Sequence, residues 1–266
     1  MSKLGIIGGG AMGAAFAQGV ISSGLLKPNQ IIIADVDQPK LDMLNSDLGV
    51  EVTTNNILVA GNSEIVLLAV KPSFTACVLE EIAEHISKAL IISIAAGVSI
   101  GSMESNLPDR IGVIRAMPNT PCQIGAGSIG FSRGKAVTDD QVAAAQKIFD
   151  STGISIEVPE RLLDAVTGLS GSGPAYVYLM IEAMSDAGVR MGLPRPAALK
   201  LAAQTVYGSA SMVIQHETHP AVLKDQVTSP GGTTIAGLEA LEKAGFRSAL
   251  IEAVKAAARR SEELSE

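Results

Sequence analysis

A run of two glycines and two threonines near the end of the chain has the residue types of an anion site. Ser229–Thr234 reads S-P-G-G-T-T and stands directly before a helical pattern of apolar residues. The first turn of a helix has backbone N–H groups without helical partners, and a glycine-rich approach leaves them open to an anion. The two threonine hydroxyls add donors beside them. The segment therefore predicts a small site for an anionic group; the alternative is an ordinary helix start with a capping turn.

A second glycine-rich junction, at the beginning of the chain, predicts a dinucleotide site. Gly8–Gly13 has the spacing G-x-G-x-x-G between a strand pattern, Leu4–Ile7, and a helical pattern. Glycines at these places allow a tight turn, a close approach of the backbone to a pyrophosphate, and close packing of helix on strand. The alternative is a glycine-rich turn without a ligand. The expected cofactor contacts here are Gly8, Gly10, Ala11, Met12 and Gly13.

An acidic residue follows the second strand pattern, where such folds usually read the ribose. An acid about 20 residues past the glycines accepts the 2′-hydroxyl of NAD and repels the 2′-phosphate of NADP. Asp35 holds this position, no arginine follows immediately, and Lys40 is the nearest cation. The local chemistry therefore favours NADH. The alternative role of Asp35 is to cap the helix that starts near Pro39.

Small or polar residues after the later strand patterns are expected to complete the cofactor site. The carboxyl ends of parallel strands face the ligand crevice of a doubly wound sheet. Small side chains there leave room for a nicotinamide ring, and an amide could bond the carboxamide of that ring. The expected contacts are Asn56, Ala69, Val70, Lys71, Pro72, Ala95, Gly97 and Asn119. The neighbouring Pro118 and Pro121 could instead only shape a loop.

The elements that must position the nucleotide site occupy the first 161 residues. Short strand patterns alternate there with helical patterns, and several strands are almost wholly apolar, as expected when both faces of a sheet are covered. This part is therefore predicted to be an α/β domain with a doubly wound parallel sheet. The predicted strands are Leu4–Ile7, Ile31–Ala34, Ile65–Val70, Leu90–Ile94, Ile111–Arg115, Ser128–Phe131 and Ser155–Val158.

From residue 162 to residue 266 only helical patterns remain, and they predict an all-helical domain. The segment Leu199–Ile214 holds one lysine and one glutamine among otherwise apolar or small residues. A helix that is apolar on most sides is buried on most sides. One small domain can hardly cover such a helix, so we expect a second subunit to pack against it. The predicted helices are Pro174–Met191, Arg195–Gln215, Ala221–Val227, Thr234–Ala244 and Phe246–Leu264.

The composition of the chain argues against several classes of binding partner. The 266-residue chain has a formal net charge of −7 and 3% aromatic residues, so it lacks the basic surface and the stacking side chains that nucleic acids need. Its two cysteines and three histidines match no metal spacing, so no metal site is predicted. No apolar stretch has the form of a signal peptide or a membrane span. We expect a cytoplasmic protein with neither a nucleic-acid nor a membrane partner.

Five segments, taken in order, resemble the pyrroline-5-carboxylate reductase family, and together they extend over nearly the whole chain. The resemblance implies an N-terminal Rossmann domain and a helical domain that forms a homodimer, often assembled further into decamers. It also implies the last step of proline biosynthesis, hydride transfer from NADH or NADPH to the C=N carbon of 1-pyrroline-5-carboxylate, a cyclic imine, to give L-proline. The segments are Ala69–Pro72, Ala95–Val98, Arg115–Pro121, Ser170–Tyr176 and Ser229–Thr234.

The resemblance also implies roles for single residues. The family's presumed hydrogen-bond donor to the ring nitrogen matches Thr234, which is the predicted catalytic residue. His219 is expected to be a capping or surface residue rather than a proton relay. Asp35 departs from the family, whose members often use NADPH and carry Ser or Arg there, so the choice of cofactor stays open. The implied substrate contacts are Glu217, Ser229, Gly231, Gly232, Thr233 and Thr234.

Two other functions share parts of this pattern. Dehydrogenases of the 3-hydroxyacid or 6-phosphogluconate type need a lysine on the first helix of the second domain, and the comparable segment Ser172–Tyr176 offers none before Lys200. A nucleotide-sensing regulatory protein would keep Gly8–Gly13 but would have no reason to keep the hydroxyls of Ser229–Thr234. The pattern therefore favours the reductase.

Overall fold

The computed structural model describes residues 2–86 and 88–265 and divides them into two compact units. The first unit runs to Ser172 and includes the chain from Ala256 onward, and the second is Gly173–Lys255. The boundary after residue 161 that the sequence suggests stays a prediction.

The first unit is built on one eight-stranded sheet. Its strands are β1 (Ser2–Ile7), β2 (Ile31–Ala34), β3 (Glu51–Thr53), β4 (Ser63–Leu68), β5 (Leu90–Ser93), β6 (Val113–Met117), β7 (Gly127–Arg133) and β8 (Gly153–Glu157). They lie in the order β3-β2-β1-β4-β5-β6-β7-β8. The order reverses between β1 and β4, and doubly wound folds bind ligands at the carboxyl ends of the strands beside such a reversal. The predicted α/β class and doubly wound sheet are confirmed.

Helices cover both faces of this sheet. They are α1 (Ala11–Ser22), α2 (Gln38–Leu48), α3 (Asn56–Asn62), α4 (Thr75–Ile82), α5 (Ile100–Glu104), α6 (Asp139–Asp150) and α7 (Leu163–Val166). Successive strand residues point to opposite faces. Accordingly, Ile6 belongs to the buried cluster that α1, α2 and α6 cover, and Ile7 belongs to the one that α3, α4 and α5 cover.

Two details of the sheet differ from the expectation. The strand β3 was not predicted, because Glu51–Thr53 has three residues, none of them buried, and pairs only with β2 at the edge of the sheet. The strand β7 runs antiparallel to β6, whereas the other neighbours are parallel. A parallel neighbour needs a crossover of a dozen or more residues, and the segment 118–126 is too short to provide one.

A buried threonine in this unit offers a stability test. Within the part of the chain that the structure describes, Thr75 Oγ1 is buried without a hydrogen-bond partner. Thr75→Val should leave the free energy of unfolding unchanged or raise it by up to about 1 kcal/mol, because an unsatisfied buried hydroxyl is removed. Thr152 is the matched control, since its buried hydroxyl donates to Phe149 O at 2.9 Å. Thr152→Val should lower the free energy of unfolding by about 1 kcal/mol. Urea unfolding measures both variants, and a Thr75→Val protein less stable than Thr152→Val would contradict the prediction.

The second unit is helical throughout and buries little. Its helices are α8 (Gly173–Arg190), α9 (Arg195–His216), α10 (Pro220–Gln226), α11 (Thr233–Lys243) and the first half of α12 (Phe246–Ser265). Of its described residues, only Ser185, Ala198 and Ala202 are buried. Large apolar side chains of α9 stay exposed, namely Leu199, Leu201, Tyr207, Met212 and Ile214. One copy of the chain therefore leaves α9 uncovered, as its composition predicted.

None of the described helices is both long and apolar enough to cross a membrane.

Candidate active site

The turn between β1 and α1 has the tight backbone shape of a phosphate-binding loop. Gly8 N donates to Ala34 O at 2.7 Å, and Gly8 has a φ of +107°, which side chains rarely tolerate. A Cβ at Gly8 would lie 2.5 Å from Ala69 O, and one at Gly13 would lie 2.1 Å from Gly8 O. Both positions therefore require glycine for the chain to close the turn.

The start of α1 is open where a ligand would approach. Gly10 is the N-cap and has no side chain to cap the helix, and the first turn carries no acidic residue. The helical hydrogen bonds begin with Ala14 N to Gly10 O at 2.9 Å, so the N–H groups of Ala11, Met12 and Gly13 have no helical partner. A Cβ at Gly10 would meet nothing within 4 Å. These features fit a pyrophosphate, with the positive end of the helix dipole toward it.

Asp35 lies at the end of β2 and bonds to this turn. Its Oδ2 accepts from Gly9 N at 2.7 Å and its Oδ1 accepts from Asp37 N at 3.0 Å. Lys40 Nζ lies 3.1 Å from Oδ1 and 3.2 Å from Oδ2. The residue that caps α2 is Asp37, whose carboxylate accepts from Lys40 N at 3.2 Å. The alternative that Asp35 caps this helix is therefore wrong.

These contacts keep Asp35 ionised. Burial by itself raises the pKa of this carboxyl, but hydrogen bonds from Asp37 N–H, Lys40 and Gly9 N–H outweigh burial and bring the pKa below the ordinary value of 3.8. The group is therefore a carboxylate at neutral pH and acts as an acceptor only.

The expected contacts after β4 and β5 lie along the same edge of the sheet. Ala69 N donates to Ile7 O at 2.8 Å, which places Ala69–Pro72 beside the glycine-rich turn. Lys71 and Pro72 are exposed and lead into a short 3-10 helix, Pro72–Phe74. Ala95 is buried and Gly97 has a φ of +77°, both between β5 and α5. The structure thus places these residues along the same edge of the sheet as Gly8, and their contact with a cofactor stays a prediction.

The two predicted asparagine contacts have partners within the protein. Asn56 is the first residue of α3, and its Nδ2 donates to Glu81 Oε2 at 2.8 Å. Asn119 Nδ2 donates to Ser170 O at 3.0 Å, and its Oδ1 accepts from Ser128 N at 2.9 Å. An amide group keeps one further N–H and one further lone pair after such bonds. Asn119 therefore fixes the loop after β6, and its cofactor contact stays a prediction.

A partly buried ion-pair network lies beside these residues, and it was not predicted from the sequence. Arg115, on β6, is 7% exposed and lies 3.3 Å from Glu160 Oε1 and 3.9 Å from Asp164 Oδ1. The same Glu160 oxygen accepts from Ile100 N at 2.7 Å, and Asp164 accepts from Ser261 Oγ at 2.6 Å. An arginine inside an apolar strand pattern is the signal for such a network, because a buried cation needs acidic partners.

In the second unit, Ser229–Gly232 forms a tight turn that leads into α11. Gly232 N donates to Ser229 O at 3.1 Å, and Gly231 has a φ of +66° after Pro230, as in a type II turn. Gly232 is the N-cap of α11 without a side-chain cap, and the first turn of this helix carries no acidic residue. The predicted helix start is confirmed, and it leaves backbone donors open.

The hydroxyls around this turn differ in exposure. Thr234 is half-buried in the first turn of α11, whereas Ser229 and Thr233 are exposed. The N–H groups of Thr233 and Thr234 have no helical partner at this position. The segment therefore combines N–H donors for a carboxylate with one partly sheltered hydroxyl.

Glu217 and His219 lie in the link between α9 and α10. Glu217 is exposed and ends α9 with a φ of +48°, and among the described residues it is the non-glycine residue with a positive φ. His219 Nδ1 accepts from Ala221 N at 3.2 Å and caps α10. The interpretation of His219 as a capping residue is confirmed.

Within residues 2–86 and 88–265, no group of three or more His, Cys, Asp or Glu side chains is arranged to hold a metal ion.

Two family models match separate parts of the chain. Residues 160–264 match the model described as "Pyrroline-5-carboxylate reductase dimerisation". Residues 3–97 match the model described as "NADP oxidoreductase coenzyme F420-dependent". The first match contains the helical segment, and the second contains the glycine-rich turn and Asp35.

Solved structures of similar proteins share the fold along the whole chain. A pyrroline-5-carboxylate reductase from Coxiella burnetii has a TM-score of 0.95 at 38% identity, with 100% of this chain and 99% of that chain covered. The Plasmodium falciparum pyrroline carboxylate reductase with NADP bound has a TM-score of 0.88 at 35% identity, with coverages of 100% and 98%.

Curated relatives match over the same length. The pyrroline-5-carboxylate reductase of Synechocystis is 52% identical over 98% of both chains. The Escherichia coli reductase of the same name is 42% identical over 99% of this chain and 98% of its own. The resemblance carried by the five sequence segments is thereby confirmed, and the chain belongs to the pyrroline-5-carboxylate reductase family.

Proposed function

We propose that this protein reduces 1-pyrroline-5-carboxylate to L-proline with NADH or NADPH. The observation that carries the proposal is the start of α11, where the N–H groups of Thr233 and Thr234 have no helical partner and Thr234 is half-buried, in a chain of this family. The substrate is a small ring with one carboxylate and one imine nitrogen, so it needs one anion site and one hydrogen-bond donor.

The protein's part in this reaction is binding and orientation. A reduced nicotinamide, when bound, supplies the hydride. The glycine-rich turn Gly8–Gly13 would hold the pyrophosphate. The turn Gly231–Thr234 would hold the substrate carboxylate through the N–H groups of Gly231, Thr233 and Thr234, since the Gly232 N–H already donates to Ser229 O. The Thr234 hydroxyl would donate to the ring nitrogen, which gains electron density as the hydride arrives. One positioned donor contributes about 10²–10⁴-fold, and positioning supplies most of the remainder.

The other site residues keep the roles that the sequence suggested, as proposals. Ser229, Thr233 and Glu217 would contact the substrate or orient its contacts. A nicotinamide contact is proposed for residues along the edge after β4, β5 and β6: Ala69, Val70, Lys71, Pro72, Ala95, Gly97 and Asn119. Asn56 would contact the cofactor from the beginning of α3.

The direct test is the loss of NADH or NADPH absorbance when 1-pyrroline-5-carboxylate is added. A reductase gives proline in equal amount to the cofactor oxidised. A nucleotide-sensing protein on the same fold would bind the cofactor without turnover, and that result would exclude the proposed activity.

Asp35 sets the expected cofactor preference. Wild type should have the higher kcat/KM with NADH, because an ionised carboxylate at the ribose repels a 2′-phosphate. Asp35→Ser should shift the ratio of kcat/KM values toward NADPH roughly tenfold, equivalent to about 1.4 kcal/mol. Steady-state kinetics with both cofactors measure this ratio. A wild type that prefers NADPH several-fold would show that this carboxylate does not govern the choice of cofactor. The comparison is needed because the Plasmodium falciparum relative has NADP bound.

The protein is proposed to act as a homo-oligomer, with a decamer as the larger assembly. Support comes from the match of residues 160–264 to the dimerisation family and from the uncovered α9. The same match supports a functional boundary after residue 161. A cytoplasmic location is proposed as well, with support from two free cysteines, Cys77 and Cys122.

A further inference from the structure

The Asp35 carboxylate has no free lone pair to accept a further hydrogen bond. Its Oδ1 faces Asp37 N at 3.0 Å and Lys40 Nζ at 3.1 Å, and its Oδ2 faces Gly9 N at 2.7 Å and Lys40 Nζ at 3.2 Å. An ionised carboxylate offers about four lone-pair sites. All of them have a donor, so a ribose 2′-hydroxyl can bind Asp35 only by displacing one.

Lys40 is the donor that can leave. The Gly9 and Asp37 donors are backbone N–H groups fixed by the turns that follow β1 and β2. Lys40 reaches back from α2 on a flexible stem, and its side chain is 39% exposed against 10% for Asp35. Because the Lys40 side chain is partly exposed, water can solvate its amine when it leaves Asp35. The lysine also lies 4.0 Å from Asp37 Oδ2, an acid exposed to solvent.

We propose that Lys40 is a specificity-determining residue of the nucleotide site: it competes with a 2′-hydroxyl for Asp35 and offers a cation to a 2′-phosphate. This inference rests on the proposed function, because it requires the glycine-rich turn to hold a nicotinamide dinucleotide. It follows that the charge of Asp35, considered alone, overestimates how strongly the site repels the 2′-phosphate of NADPH. The ion pair Asp35–Lys40 carries no net charge. The ratio of NADH affinity to NADPH affinity is therefore smaller than an unpaired aspartate would give.

Binding of NAD⁺ and NADP⁺ tests this role, because the two nucleotides differ only in the 2′-phosphate. Titration calorimetry on the full chain, without substrate, gives a dissociation constant for each nucleotide independently of turnover. Lys40→Met should weaken NADP⁺ roughly tenfold, the effect of one hydrogen bond to a charged group. The same change should tighten NAD⁺ binding roughly two- to fivefold, since the Lys40 amine no longer competes with the 2′-hydroxyl for Asp35.

Two further variants separate this role from a general effect of charge. Lys40→Arg keeps a cation at the same place and should retain most NADP⁺ binding. Lys147 is an exposed lysine in the last turn of α6, and Lys147→Met removes the same charge from the first unit. It should leave the ratio of the two dissociation constants unchanged. The melting temperature of each variant shows whether it is folded.

The outcomes are distinct. Opposite shifts for the two nucleotides in Lys40→Met, and none in Lys147→Met, support the proposal. Equal shifts, or no shift, in a folded Lys40→Met protein overturn it while leaving the reductase function intact. A wild type that binds neither nucleotide refutes the nucleotide site itself, and the role of Lys40 fails with it.

Discussion

Replacing Thr234 by alanine should lower kcat by about 100-fold or more, the low end for the loss of one acid–base group. Thr234 is half-buried in the first turn of α11, in a unit separate from the glycine-rich turn. A donor to the ring nitrogen is worth most when the hydride arrives and the nitrogen becomes more basic. Removing an interaction that is stronger in the transition state lowers kcat, whereas removing uniform binding raises only KM.

Three measurements define this result. The dissociation constant of the cofactor should be unchanged in Thr234→Ala, since the residue is proposed to act on the substrate. Thr234→Ser keeps a hydroxyl and should recover part of kcat. Thr233→Ala is the matched control from the same turn, and it should raise KM more than it lowers kcat. If Thr234→Ala keeps a near-normal kcat, the donor is Ser229, Thr233 or a water molecule instead.

The sequence predicted the glycine-rich turn between β1 and α1 well, because local pattern decides its structure. The turn Gly8–Gly13 follows from residue types alone, because no other residue tolerates the φ of Gly8 or the contact at Gly13. Most of the buried strands were also predicted, because their sequences are almost wholly apolar. The edge strand Glu51–Thr53 was missed because it has no buried residue to give a pattern.

Partners that the fold brings together were beyond sequence reasoning. Arg115 pairs with Glu160, which lies 45 residues further along the chain. Asn119 joins Ser128 to Ser170, and the latter is 51 residues away. Lys40 is close to Asp35 in sequence, but their contact depends on the start of α2, which directs the lysine side chain back toward Asp35. Residue type singled out Asp35 as the predicted ribose contact, but only the structure gives the donors that already bind its carboxylate.

The helical unit illustrates a different limit. Its composition predicted that α9 is buried, and the structure of one chain leaves large apolar side chains of α9 exposed. The two observations agree if another copy covers the helix, as the proposed homo-oligomer would. Secondary structure was therefore predictable from one sequence, whereas one copy of the chain does not show what covers α9.

A charge on α9 should therefore break the assembly. Met212 is 46% exposed in the single chain, so an aspartate there is tolerated by the monomer. In an interface the same carboxylate loses its hydration, which costs several kcal/mol unless it is paired. Met212→Asp should run as a monomer or aggregate in size-exclusion chromatography with light scattering, while wild type runs as a dimer or larger. Val206 is half-buried in the single chain, so Val206→Asp would also disturb the fold and is the less selective test.

The matched control for this test is Met212→Leu, which keeps the apolar area and should stay assembled. Because a partner that binds only the folded state stabilises it by mass action, the melting temperature of wild type should rise with protein concentration. That dependence should vanish in Met212→Asp. A wild type that runs as a stable monomer, or a Met212→Asp protein that keeps the size of wild type, would show that α9 is not the interface.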